Sequence, residues 1–284
     1  MRRLIGAACV AFCLCAADAA DLTWVNWGGD LKASTASNWS PAQTPQAGDN
    51  LTISYNGSGT KYWHNDLDIE YGHITFDITN TSATRIDPDQ KEIRVSNGIS
   101  VIGTGGTIYC RTSVTGTGEF LVDNEGGSVF LVTTPTSGRV YSGNFDVRMG
   151  LLTAGADKVL GDETHHGHVY IAVTNATASK TGKLTLNKSS GGPWNMYNDI
   201  YYDNNRSGFN LATSDDVTYY GDFYLTGGLA TIQRVGGSGA KIKFYGKWER
   251  WTPPSRAASD SALRLFVHKP GVEFFGGFYD PRAR

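Results

Sequence analysis

The chain has 284 residues, a formal net charge of −2, 40% hydrophobic residues and 12% aromatic residues. That near-neutral balance excludes an electrostatic footprint for nucleic acid or anionic lipid, and the aromatic content supplies enough apolar area to exclude a disordered chain. Of four cysteines, Cys9, Cys13 and Cys15 fall in the first stretch of the chain. A processed form would keep only Cys110, which excludes a small disulfide scaffold.

Met1-Arg2-Arg3 is a short positive segment, Leu4 to Ala16 is apolar, and Ala17-Asp18-Ala19 fits the small-x-small pattern of a signal-peptidase site. Residues 1–19 are therefore expected to be a secretory signal peptide, cut after Ala19. The apolar run is too short for a comfortable membrane span, and no later run is longer, so no transmembrane segment is expected in the mature chain.

Residues 20–72 carry Trp24, Trp27, Trp39 and Trp63 together with Pro41 and Pro45. This region is expected to be an irregular, aromatic-rich N-terminal cap, because the end of a strand stack otherwise leaves unpaired edges. The other reading of these tryptophans is a stacking platform for sugars.

From residue 73 to 284 the pattern changes to short alternating runs. Ile74-Thr75-Phe76-Asp77-Ile78, Val169 to Val173, Leu184-Thr185-Leu186 and Ile242-Lys243-Phe244 each alternate apolar and polar residues, as strands with one buried face do. Glycine and Asn clusters punctuate them, among them Asn97-Gly98, Gly103-Thr104-Gly105-Gly106, Gly116-Thr117-Gly118 and Gly227-Gly228. Strand starts near Ile74, Ile93, Glu119, Asp146, Val169, Leu184, Phe223, Ile242 and Leu263 recur at roughly 20 to 25 residues, the period of a solenoid coil. A β-sandwich would place strands at about 8 to 12 residues. The expected class is all-β, a β-solenoid of stacked coils, with a glycan-binding sandwich as the alternative. Cys110 falls in the strand-like run Thr107-Ile108-Tyr109-Cys110 and is expected to be a buried, inert thiol.

Two stretches carry a family resemblance. Thr23-Trp24-Val25-Asn26-Trp27-Gly28-Gly29-Asp30, Ala36-Ser37-Asn38-Trp39-Ser40 and Pro45-Gln46-Ala47-Gly48-Asp49 resemble the opening of bacterial autotransporter-type proteins with associated β-strand repeats. Gly116 to Val122, Tyr141 to Val147, Gly150-Leu151-Leu152 and Leu160-Gly161 are similar to the passenger-associated transport repeat. The resemblance implies a right-handed parallel β-helix that is exported and displayed at the cell surface, with no catalytic residue in the repeat. A complete autotransporter ends in a membrane barrel, whereas this sequence ends Phe278-Tyr279-Asp280-Pro281-Arg282-Ala283-Arg284. It is thus expected to be either part of a longer passenger or a protein secreted by another route.

Several constellations are candidates for chemistry. His165, His166 and His168 form a cluster that could ligate a metal; the alternative is a solvated turn after Leu160-Gly161. Asp215-Asp216 superficially resembles a paired-aspartate hydrolase site, but the expected flanking residues are in the wrong order. Asp66-Leu67-Asp68 and Asp87-Pro88-Asp89 are candidate cation-binding turns. Lys241, Lys243, Lys247, Glu249 and Arg250 alternate with Ile242, Phe244 and Trp248 and read as the outer face of one or two strands. Trp248, Trp251, Lys243 and Lys247 are the candidate glycan contacts.

No cofactor is expected. The leading functional expectation is a non-enzymatic, exported, passenger-like scaffold for surface display or adhesion, with surface glycans or host matrix molecules as partners. A polysaccharide hydrolase or lyase on the same fold is the alternative.

Overall fold

The computed structural model describes residues 19–79, 84–172, 182–187, 193–203, 208–211, 216–226, 228–234, 241–252, 263–267 and 271–279. Residues 1–18, which make up all but the last residue of the expected 1–19 leader, and Asp215 lie outside the described residues. The protein is a parallel β-solenoid, so the sandwich alternative is overturned. Asp21–Trp24 pairs antiparallel with Trp39–Ser40, and every other ladder between the described strands is parallel.

One ladder runs the length of the solenoid. It joins Asp21–Trp24, Asn50–Tyr55, Glu70–Ile78, Ile93–Thr104, Glu119–Leu131, Phe145–Ala154, Val169–Ile171, Ile200–Tyr202, Phe223–Leu225, Trp248–Arg250 and Phe278–Tyr279. Its register places Leu22, Leu51, Ile74, Ile99, Phe120, Phe145, Val169, Ile200, Phe223 and Trp248 in one inward column, all buried. A second ladder begins with Gly59–Asn65 and Thr84–Gln90 and reaches Leu263–Val267. A third joins Trp194–Met196, Val217–Tyr219, Ile242–Phe244 and Val272–Phe274. Apolar side chains from the three faces meet in a single core.

This register moves the expected boundary of the cap. Parallel stacking already begins at Asp21 and Asn50, so the 20–72 region contains the first coils. Between Trp24 and Gly48 the chain leaves the long ladder, and Lys32 pairs in parallel with His64. There Trp24, Trp27 and Trp39 pack together, with Trp24 to Trp39 centroids 5.0 Å apart and Trp27 against Tyr55 at 5.1 Å. Trp39 Nε1 donates to the Ala33 carbonyl at 2.8 Å and Trp27 Nε1 to that of Ser54 at 2.8 Å. Trp24, Trp39 and Trp63 are buried, so these rings serve the core and not a sugar platform.

The corner before the long ladder is a column of small residues. A Cβ on Gly143 would overlap the Gly118 carbonyl oxygen of the coil below, and Gly167, Gly246 and Gly276 stand in the same relation to Gly143, Gly221 and Gly246. Axial stacking brings the backbones so close at these four corners that a Cβ would meet the backbone of the neighbouring coil. Asn198 occupies the equivalent corner one coil before Gly221, and its Nδ2 donates to the carbonyls of Leu160 and Gly167 at 2.8 Å each.

Cys110 is buried and free. Burial, helped by the Asp87 charge, pushes its thiol up to about 12, so it is an unreactive core residue at neutral pH. No helix among the described residues is long and apolar enough to cross a membrane.

Candidate functional site

The last coils repeat a short pattern. Trp194 to Tyr202, Val217 to Leu225, Ile242 to Arg250 and Val272 to Tyr279 align position for position through the third and first ladders. The first, third and seventh positions of each unit point inward; in the first three units these are Trp194, Met196, Ile200, Val217, Tyr219, Phe223, Ile242, Phe244 and Trp248, all buried. The fourth, sixth and eighth positions lie around the corner and are available to the outer surface. Because coils stack in register at about 4.8 Å, equal positions form columns.

The fourth position gives Tyr197, Tyr220, Tyr245 and Phe275. Their rings stack at 5.1, 5.4 and 4.6 Å, nearly parallel at 10°, 16° and 9°. Tyr220, Tyr245 and Phe275 remain 47%, 45% and 57% exposed, so the column is an open surface feature. The eighth position gives Tyr201 and Tyr224, preceded by Tyr170, with rings 4.9 and 4.6 Å apart. The half-buried Trp251 sets its ring edgewise against Tyr201 at 5.0 Å.

A polar row runs between the two aromatic columns: Asn144, His168, Asp199, Asp222 and Lys247. The side chains of Asn144, Asp199 and Asp222 each hold the next coil by its backbone. His168 N donates to Asn144 Oδ1 at 2.9 Å, Asp222 N to Asp199 Oδ1 at 2.8 Å and Lys247 N to Asp222 Oδ1 at 2.9 Å. Lys247 Nζ lies 2.9 Å from Glu249 and 3.8 Å from Asp222, and 5.7 Å above the Tyr224 ring. The Glu249 hydrogen bond, then the neighbouring Tyr224, raise the Lys247 ammonium above its ordinary value. Asp199 and Asp222 are neighbours in adjacent coils, a spacing that could suit paired carboxylate chemistry. Both are instead engaged in joining coils.

Burial is the main cause that raises the phenols of Tyr170, Tyr197, Tyr201 and Tyr224, Tyr201 to about 12. Core burial raises Tyr71, Tyr141 and Tyr219 as well. Folding thus favours the protonated phenols. Their contribution is complete below pH 10, the ordinary tyrosine value, and is lost as pH climbs through the raised values, about 12 for Tyr201. The melting temperature is therefore expected to fall steeply between about pH 10 and pH 12, in step with phenolate absorbance. A flat profile across that window would show that these rings are not held as described.

The candidate residues read from the sequence scatter. His165, His166 and His168 go to three different neighbours. His165 Nδ1 bonds the Thr164 hydroxyl at 2.8 Å, His166 packs on Tyr197 at 6.1 Å, and His168 sits edgewise on Tyr201 at 5.5 Å. Among the described residues no three His, Cys, Asp or Glu side chains gather as a metal site. Asp162 organises the turn that carries them, accepting from Thr164 N at 3.1 Å and His165 N at 2.9 Å. Partial burial pulls its carboxyl up, but these bonds outweigh it and leave it below the ordinary value.

The acidic turns are spent on neighbours too. Asp87 is enclosed by Arg85 and Arg111, Asp89 meets His64 at 2.6 Å, and Asp68 meets Arg94 at 2.6 Å. Asp216 Oδ1 accepts from Lys241 N at 2.7 Å.

Two surface assignments need correction. Trp248 is 1% exposed, stacked flat on Phe223 at 4.4 Å, and cannot touch a glycan. Arg250 also points inward and is buried. The cause is phase: the residue two places after the corner glycine Gly246 enters the core, so Trp248 and Arg250 are inward and Lys247 and Glu249 outward. Trp251 and Lys247 do lie on the corner strip, while Lys243 lies on the adjacent third face, in register with Thr218 and Glu273.

Besides the strip, cavities open elsewhere on the described surface. One of about 420 Å³ is lined by Asp157, Asp162, Glu163, Trp194 and Tyr197 among others. A second of about 310 Å³ lies beside Arg94, Thr115 and Arg139. Comparison with protein-family models, with curated proteins and with solved structures finds no match.

Proposed function

We propose that this chain is an exported, passenger-like β-solenoid that works as a non-catalytic scaffold and holds an adhesive strip against surface glycans. The observation that carries the reading is the surface column of half-buried Tyr197 and exposed Tyr220, Tyr245 and Phe275. Stacked rings cover one another's faces, so the column offers ring edges and phenol hydroxyls, repeated once per coil. Beside it runs the row of Asp199, Asp222 and Lys247. Amphipathic tyrosines of this kind suit contact surfaces that must bind without burying a large apolar area.

A polyol chain lying along the axis would meet the same apolar edge and the same hydrogen-bonding groups at each coil, so weak contacts add as linked events. The reading as scaffold and not enzyme is supported by the carboxylates of the row, which are occupied in coil-to-coil hydrogen bonds. Export rests on the 1–19 leader, and passenger-like display on the repeat resemblance.

The test is retention of the purified chain on immobilised polysaccharides and on cell surfaces. Tyr220→Ser with Tyr245→Ser removes two successive rungs and is expected to lower retention about tenfold or more, with an unchanged circular dichroism spectrum. Equal retention by the double variant would sink the reading.

A further inference from the structure

The smaller cavity carries a feature independent of the aromatic strip. It is lined by Glu70, Arg94, Thr115, Thr117, Arg139 and His165, among others. Glu70, Arg94 and Thr115 are partners in register on successive coils. Val114 and Val95 point into the core, so the alternation sends Arg94 and Thr115 outward.

Thr115 is nevertheless only 1% exposed, and its Oγ1 is buried without a hydrogen-bond partner among the described residues. A buried hydroxyl with no partner is costly and calls for an explanation. Here it lines a cavity of about 310 Å³, at the small end of the range for ligand sites.

We infer that this cavity binds a single monosaccharide unit bearing a carboxylate. Arg139 is exposed and carries no ion pair among the described residues, so its planar fork is open for bidentate contact with a carboxylate. Arg94 is held in place by Asp68 at 2.6 Å and by the Ile69 carbonyl at 3.4 Å, which fixes a second positive group in the wall. Glu70 offers an acceptor for sugar hydroxyls. Thr117 Oγ1 already donates to the Ser96 carbonyl at 2.6 Å, so its oxygen is left to accept. Thr115 supplies the donor that the protein leaves unused. The mix of two cations, one carboxylate and hydroxyls fits a ligand with one anionic group and several hydroxyls better than a bare anion.

The probe is free glucuronate, titrated into the full chain by calorimetry, with glucose and inorganic phosphate as comparisons. Saturable glucuronate binding is expected, at least about tenfold tighter than glucose, since one charged hydrogen-bonded pair is worth that factor. Arg139→Ala should weaken it about tenfold. Thr115→Val keeps the shape and removes the orphan hydroxyl; it should weaken binding about threefold to tenfold while leaving the melting temperature unchanged or higher. The Tyr220→Ser and Tyr245→Ser chain should bind glucuronate as before, which separates this site from the strip. Absence of saturable binding overturns the inference. So does equal binding of glucose or phosphate, or glucuronate binding untouched by both cavity variants.

Discussion

Gly143→Ala is expected to cost on the order of 3 kcal/mol of stability, read as a lower urea midpoint or melting temperature. The added Cβ would overlap the backbone carbonyl of Gly118 in the neighbouring coil. A flexible side chain could swing aside, but a backbone carbonyl fixed in a ladder cannot. Phe120 N is bonded to the Asn144 carbonyl at 2.7 Å, two residues from the clash, and the Phe120 to Phe145 register continues from there. Relief therefore requires the coils to separate, which loses ladder bonds and core contacts together. Gly277→Ala is the matched control, because a Cβ there meets nothing within 4 Å. It is expected to shift stability by less than about 0.5 kcal/mol. Equal effects at the two positions would show that axial crowding does not select glycine here.

The same corner explains how much could be read from the sequence. Alternation and glycine punctuation were enough for stacked parallel coils, because both follow from local chemistry. Face assignment was harder. Coils lengthen and shorten between 21 residues, from Gly98 to Glu119, and 35 residues, from Gly228 to Leu263. The predicted strand starts therefore mix faces: Phe223 begins a strand of the long ladder, Leu184 lies on the second and Ile242 begins one on the third. A constant period would have aligned them.

The aromatic columns were legible in principle. Gly143-Asn144-Phe145-Asp146-Val147, Gly167-His168-Val169-Tyr170-Ile171, Gly221-Asp222-Phe223-Tyr224-Leu225 and Gly246-Lys247-Trp248-Glu249-Arg250 share a glycine followed by inward residues two and four places later. That anchor sets the phase, and with it the outward Tyr170 and Tyr224. Without the anchor, alternation says only that neighbours differ, and Arg250 reads as surface because it is charged. The cavity beside Arg94 and Thr115 had no such signal. Glu70, Arg94, Thr115 and His165 are far apart in sequence and meet only because coils stack.

The phase of Trp248 also separates stability from binding. Trp248 lies flat on Phe223 at 4.4 Å and meets Phe244 and Phe274 edgewise at 5.1 and 5.6 Å. Trp248→Ala is expected to cost about 3 kcal/mol, the low end for a buried aromatic. Phe274 is half-buried and Phe278 exposed, so both can move into part of the space. Trp248→Phe should cost about 1 kcal/mol or less. It keeps the flat contact and removes an indole N–H that has no hydrogen-bond partner among the described residues. Trp251→Ala, on the half-buried ring beside Tyr201, should leave the melting temperature within the range of ordinary surface changes while lowering retention on glycans. The two tryptophans, three residues apart, thus give opposite results: one variant unfolds the end of the solenoid, the other weakens the strip. A Trp248→Phe chain that kept its stability but lost glycan retention would place the indole at the binding surface and overturn its assignment to the core.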